Sequence, residues 1–196
     1  MEITIRNCIF AANMELKTNN MLLEYQNQKI KEVLLYVLSK TGDIGYFRLM
    51  KTIFCADRQN LMKWGDQVTS LEYFARKHGP VPSAIYSELL SIYHGNASTY
   101  SDIVSVKGNF LVHANRQPNL DYLSETDKES IDKAIAELDG KNRNQIEDYL
   151  HEKVYKQVFA KKSQHYSLED IAKSGGASKK VIENIKEQVK LLKALS

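Results

Sequence analysis

The first candidates for chemistry in this chain are five histidines, two cysteines and the carboxylates beside them. The histidines are His78, His94, His113, His151 and His165, and no two of them stand at a metal-ligand spacing. His151-Glu152 lacks the second histidine that an H-E-x-x-H zinc-protease helix requires. Cys8 and Cys55 form no C-x-x-C pair, and two cysteines cannot build a disulfide framework. Cys55 follows Ile53 and Phe54, an apolar setting in which a thiol keeps its proton and stays inert. Asp57-Arg58 has the types of an acid–base pair, and equally those of an ordinary ion pair on a helix. The glycine-rich phosphate loops and the G-x-S-x-G nucleophile elbow do not occur in the sequence. The expectation is therefore no catalytic residue, no cofactor, no metal, and a protein that is not an enzyme.

The elements that position these residues follow from periodicity and punctuation. With 43% hydrophobic and 26% charged residues in 196, the chain has the composition of a packed globular protein. No run of about 18 apolar residues is present, so no membrane span is expected, and the opening MEITIRN does not resemble a signal peptide. Cysteine usage fits a reducing cytoplasm. Ile3, Ile5 and Ile9 alternate loosely, predicting a short strand or an arm over 1–26. Ile30, Val33, Leu34, Val37 and Leu38 then share one helical face, and Thr41-Gly42-Asp43 ends it. A second helix carries Tyr46 to Leu61 and closes at Trp64-Gly65. Residues 67–77 change to an extended pattern. Gly79-Pro80-Val81-Pro82-Ser83 cannot lie inside a helix, and Pro82 suits the first position of the next one, through Ile85, Leu89, Leu90 and Tyr93. Ile103 to Val112 around Gly108-Asn109 predicts a tight hairpin. Capping boxes at Ser124-x-x-Asp127 and Ser167-x-x-Asp170 open two further helices, with another at 144–159 between them and a last one through Ile182, Ile185, Val189 and Leu192. The fold class expected is mainly α (α+β): one compact helical domain over 27–160 with a small hairpin or short sheet, then a C-terminal helical pair over 161–196.

The stretch from Lys51 to Leu89 contains the most specific pattern. Ala56-Asp57-Arg58 and Leu61 are followed by Gly65, Val68 and Thr69, then Tyr73, then Lys77, Gly79, Pro80, Val81, Pro82 and Ser83. These fourteen positions resemble, in order and spacing, the signature of the Panacea, or SocA-like, antitoxin family, which includes phage-associated proteins. LSETDKESIDKAI at 123–135 is similar to a later helix-opening segment of that family, and Leu150-His151 with Tyr155 to a further element. The chain departs from the pattern at Asn60, where a histidine is frequent, and at Ser70, where a glycine is frequent. The resemblance implies a cytoplasmic antitoxin of a toxin–antitoxin system that neutralises a cognate toxin protein by direct binding. On the residues themselves, Asp57, Arg58, Tyr73, Lys77, His78, Pro80, Pro82 and Ser83 are the candidates for partner contact, as a bidentate arginine, an aromatic wall and a loop stiffened by two prolines. The same segment also reads as scaffold alone.

The charge is uneven. Residues 152–196 hold ten lysines against five acids, a net +5, which leaves −2 on 1–151 within the overall +3. SLEDIAKSGGASKKVIENI at 167–185 fits a helix-turn-helix template, with Ala172 at the helix crossing and Gly176 in the turn. Ser178, Lys179 and Lys180 would then meet DNA at the start of the second helix, while the plainer reading is a helical hairpin with solvated lysines. Operator DNA, for autoregulation, and a protease, to which the chain would deliver a toxin as an adaptor, are the alternative partners.

Overall fold

The computed structural model describes the backbone of residues 2–195 and the side chains of residues 18–191 and 194. Among these, eight α-helices and two small antiparallel sheets give the mainly helical architecture expected. Helix α1 (Glu2–Thr41) corrects the reading of its first half. The strand or arm expected over 1–26 is helical, so the helix that carries Ile30 already begins at Glu2. The physical reason is continuity: no glycine or proline occurs before Gly42, so a helix nucleated further on propagates backward without a breaker. The side chains of Ile3, Ile5, Cys8 and Ile9 lie outside the described residues.

The second half of α1 is buried nearly all round, from Val33 to Leu38. It is anchored by Glu32, whose fully buried carboxylate receives Arg116 Nη1 and Nη2 at 2.9 and 2.6 Å, the Asn119 N–H at 2.7 Å and Gln28 Nε2 at 2.5 Å. Burial pushes this carboxyl up, but the Arg116 fork and the amide donors outweigh it and hold it below the usual range. Gly42 ends α1 with φ 69°, donating to Leu38 O.

Helix α2 (Tyr46–Trp64) is the central element, buried from Leu49 to Arg58 and again at Asn60 and Leu61. It follows strand β1 (Ile44–Gly45) and ends on Gly65 at φ 80°, whose N–H reaches Leu61 O. Only part of the 67–77 segment is extended. Strand β2 (Tyr73–Arg76) pairs antiparallel with β3 (Gly79–Pro82), so the twin-proline segment is a strand, and the turn is Lys77-His78. Pro80 and Pro82 sit opposite Ala75 and Tyr73. Ala75 N–H and Tyr73 C=O are both turned outward, to Gln164 O and Tyr166 N. The two prolines thus occupy positions where an antiparallel ladder asks no N–H of them. Pro82 caps α3 (Ser83–Tyr93) from one residue before its first turn.

Strands β4 (Val104–Lys107) and β5 (Leu111–Ala114) form the second hairpin, and β1 joins β5 to give the order β1-β5-β4. Its loop holds three residues, with Gly108 and Phe110 at positive φ, 49° and 58°. Phe110 was expected within the strand; it turns to stack on Tyr93, with ring centroids 3.7 Å apart.

Helix α4 (Glu125–Leu138) opens on the Ser124/Asp127 capping box. The single helix expected over 144–159 is two, α5 (Arg143–Leu150) and α6 (Lys153–Phe159). Glu152 causes the break, because its carboxylate accepts the N–H groups of Val154 and Tyr155 at 2.5 and 2.8 Å and so starts a new helix. Helices α7 (Leu168–Ser174), opened by the Ser167/Asp170 box, and α8 (Lys179–Leu195) form the C-terminal pair, packed on α2 through buried Ile171, Ala172 and Ile185.

Candidate functional site

The signature segment folds around Asp57, on the face of α2 turned toward β2. Its carboxylate is wholly buried and accepts from the Thr69 N–H at 2.9 Å, the Thr69 hydroxyl at 2.5 Å, the Tyr73 hydroxyl at 2.6 Å and the Gln67 amide at 3.3 Å. Burial raises this carboxyl to about 6, and the bonds from Thr69 and Tyr73 restrain the rise. The Tyr73 phenol, buried beside the carboxylate, is pushed well above its ordinary value. Held this way, the 66–72 loop passes through Ser70 at φ 56°, a left-handed conformation that glycine adopts without strain. Asn60 replaces the histidine of the family pattern with a bridge. Its amide donates to Asp66 O at 3.0 Å and its carbonyl accepts from Ser130 on α4 at 3.0 Å.

Arg58 points the other way and does not pair with Asp57. Its guanidinium contacts the Glu137 carboxylate on α4 and the Tyr149 hydroxyl on α5, the latter at 3.0 Å, while Gln59 holds the second Glu137 oxygen at 2.9 Å. Gly175 of the C-terminal pair lies so close that an added Cβ would stand 2.9 Å from Arg58 Cγ. Arg58 therefore clamps three elements onto α2. Asp57, Arg58, Tyr73, Pro80 and Pro82 are interior, Ser83 is half-buried, and Lys77 and His78 are exposed on the β2–β3 turn. The surface expected from the Asp57-Arg58 pair and the aromatic wall is thus inside the protein, because each side chain there has a polar or aromatic partner on a neighbouring element.

What the turn borders is a cleft of about 380 Å³ between α2, the β2–β3 hairpin and α3, with Arg143 of α5 at its edge. Tyr46, Phe47 and Tyr86 supply aromatic walls, and Lys51, Arg76, Lys77, His78 and Arg143 supply cationic groups; among the described residues no carboxylate is in the lining. Lys51 is 1% exposed, donates to Pro80 O at 2.6 Å, and has no ion pair among the described residues. Burial lowers its ammonium to about 7. Glu147 of α5 engages two of the lining cations, His78 Nδ1 at 3.1 Å and Arg143 Nε at 3.0 Å. Burial raises its carboxyl, but these two partners prevail and keep it below its ordinary value. His151 stacks on Tyr155 at 4.2 Å, and the Tyr155 hydroxyl holds Arg76 O at 2.8 Å, so the Leu150-His151/Tyr155 element props the hairpin from beneath.

Sequence reasoning missed Lys51, Phe47, Arg76 and Arg143. A lysine inside an otherwise apolar helical face was the one signal that could have pointed to Lys51. A larger cleft of about 480 Å³, beside Trp64 and Tyr122, has its lysine and buried aspartate paired, Lys29 to Asp127 at 2.9 Å. Cys55 is fully buried, and burial raises its thiol. Among the described residues, no three His, Cys, Asp or Glu side chains gather as metal ligands, and no helix is long and apolar enough to cross a membrane. Ser178, Lys179 and Lys180 are exposed at the start of α8.

Comparison with curated proteins and with solved structures gives no match. The family signature described as antitoxin SocA-like, Panacea domain, matches residues 49–156, from the second turn of α2 through most of α6. That span is more than half of the chain and contains the Asp57 hub, Arg58 with its partners Glu137 and Tyr149, the β2–β3 hairpin and most of the cleft lining, with Tyr46 and Phe47 just before it. The chain belongs to the SocA-like, Panacea-domain antitoxin family.

Proposed function

We propose that this chain is an antitoxin that neutralises a cognate protein toxin by direct binding, without turnover. The family match over 49–156 carries the reading. The non-catalytic part is supported by the groups with reactive potential. Asp57 is saturated by hydrogen bonds in the interior, and Cys55 is buried with its thiol held protonated. The toxin would meet the β2–β3 turn, where Lys77 and His78 project from a hairpin stiffened by Pro80 and Pro82; a stiff element loses little conformational freedom on binding. Co-expression with the product of the adjacent open reading frame is the test. Restored growth and co-purification are expected. Growth inhibition that persists with no complex recovered would refute the antitoxin assignment.

A second reading, DNA binding through the C-terminal pair, is favoured by one observation. Lys179 and Lys180 are solvent-exposed at the start of α8 and make no ion pair among the described residues. A gel shift with the chain's own upstream DNA should be lost in Lys179→Glu/Lys180→Glu. Absence of any shift at low salt removes this reading.

A further inference from the structure

Three features of the cleft bear on what it could hold. Lys51 is a buried ammonium whose single hydrogen-bond acceptor is the neutral Pro80 carbonyl. A buried cation without a counter-charge is expensive, and its ordinary remedy is an acid on a neighbouring element. Here the neighbouring elements contribute more cations instead: Arg76, Lys77 and His78 from the hairpin and Arg143 from α5. Glu147 is bonded to His78 and Arg143 and acts on Lys51 only through space, so among the described residues one carboxylate stands against several cations. Two polar contacts draw on Arg76 besides: its guanidinium donates to Gln164 at 3.1 Å and lies over Phe74.

The second feature is the backbone. The start of α3 lines the cleft through Ser83 and Tyr86 of its first turn and Ser87 just after it. Its cap is a proline that offers no side-chain acceptor, and no acid occupies the turn. The positive end of that helix therefore adds to the cationic field. The third feature is aromatic: Phe47, Tyr46 and the 36% exposed Tyr86 line the cleft, with the Tyr46 and Tyr86 ring centroids 6.1 Å apart and their planes tilted by 32°. Arg143 already lies over Phe47 at 4.5 Å and Lys51 at 5.1 Å.

We propose that this cleft is a binding site for a small phosphomonoester carried on a planar ring, the chemistry of a nucleoside monophosphate. An excess of about two to three positive charges matches a phosphate dianion better than a single carboxylate. The volume, about 380 Å³, lies in the lower part of the range for small-ligand pockets. The phosphate would lie against Lys51 and Lys77 with the α3 end, and the ring against Tyr46 and Tyr86. The inference concerns a ligand and not the toxin; both readings use Lys77, and nucleotide titration and toxin rescue are separate readouts that can fail separately.

The purified full-length chain is titrated with AMP, GMP, CMP and UMP by calorimetry and by amide NMR, beside adenosine, inorganic phosphate and a glutamate-rich peptide. At least one nucleotide should bind at sub-millimolar concentration and shift the amides of residues 46–51 and 76–87. Adenosine and inorganic phosphate should each be at least tenfold weaker. Lys51→Met and Lys77→Gln should each weaken nucleotide binding about tenfold. Lys77 is exposed on a turn, so its variant decides the matter even where Lys51→Met fails to fold. Between pH 8.5 and 7.0 the phosphate stays a dianion, and binding should tighten several-fold as Lys51, faced by Arg143, Glu147, Cys55 and His151, takes up its proton. No binding by any of the four nucleotides up to 5 mM, adenosine as tight as AMP, or inorganic phosphate as tight as AMP would each overturn the proposal. So would binding of the acidic peptide alone, which would mark the cleft as a protein-docking surface.

Discussion

Replacing Tyr73 by Phe removes one hydroxyl from the interior and little else, which makes it the sharpest probe of the Asp57 hub. The phenol donates to the carboxylate at 2.6 Å, and both groups are fully buried. Burial lifts the Asp57 carboxyl from 3.8 to about 6 in the folded protein. The folded state therefore holds this proton more tightly than the unfolded chain does. The resulting stability is fully present below about pH 3.8 and is lost as pH rises through about 6. The shift of roughly two units corresponds to about 3 kcal/mol, so the wild type should be less stable at pH 7.5 than at pH 4 by about that amount from this group. At pH 7.5 the hydroxyl serves a carboxylate, and such a bond contributes about 1.5–3 kcal/mol. At pH 4.5 it serves a protonated carboxyl, and the contribution falls to about 1 kcal/mol. Tyr73→Phe should accordingly cost about 2–3 kcal/mol at pH 7.5 and about 1 kcal/mol at pH 4.5. Urea unfolding at the two pH values, with unchanged slopes, measures both. Equal losses at the two pH values, or a loss under 0.5 kcal/mol at pH 7.5, would refute the account of Asp57 as a buried, ionising hub.

Three further substitutions examine separate parts of the fold. Arg116→Gln leaves the Glu32 carboxylate buried without its cation and should destabilise by about 2–3 kcal/mol at neutral pH, discounted from a fully buried pair because Arg116 is partly exposed. Since the folded-state value of Glu32 is depressed, the wild-type contribution is present at neutral pH and lost on acidification, and the variant's deficit should shrink in urea melts taken at lower pH. Gly175→Ala drives a methyl against Arg58 Cγ, Arg58 O and Met62 Cβ at 2.9, 3.3 and 3.3 Å, and should cost about 1–3 kcal/mol while exposing the 160–178 segment to proteolysis. Ser70→Gly relieves a left-handed conformation at an exposed position and should raise the melting temperature by roughly 1–3 °C; a fall would show that Ser70 makes a contact worth more than the strain.

Much of the fold was legible because its signals are local. Ser124 with Asp127 and Ser167 with Asp170 close capping boxes three residues apart, and both helices start where those pairs stand. The break at Glu152 was equally local and was overlooked, as was the Asn142/Gln145 box that opens α5. The N-terminal half of α1 went the other way: a few alternating isoleucines suggested extension, and a run without breakers proved the stronger determinant. The candidate cleft was barely legible. Tyr46, Lys77 and Arg143 are far apart in the chain, and nothing in their immediate neighbours indicates that they meet.

Read alone, the sequence was sufficient for the family, the mainly helical class and most helix boundaries, because a signature and a capping box depend on residue types a few positions apart. Tertiary structure alone decided which polar residues of the signature are interior. Asp57 is buried because Thr69 and Tyr73, twelve and sixteen residues on, return to meet it, and Arg58 because Glu137 and Tyr149 arrive from two other helices. Lys51, by contrast, is enclosed with a neutral carbonyl as its hydrogen-bond acceptor and no ion pair among the described residues. Burial and counter-charge are properties of the packed chain as a whole, so no reading of near neighbours could have assigned them.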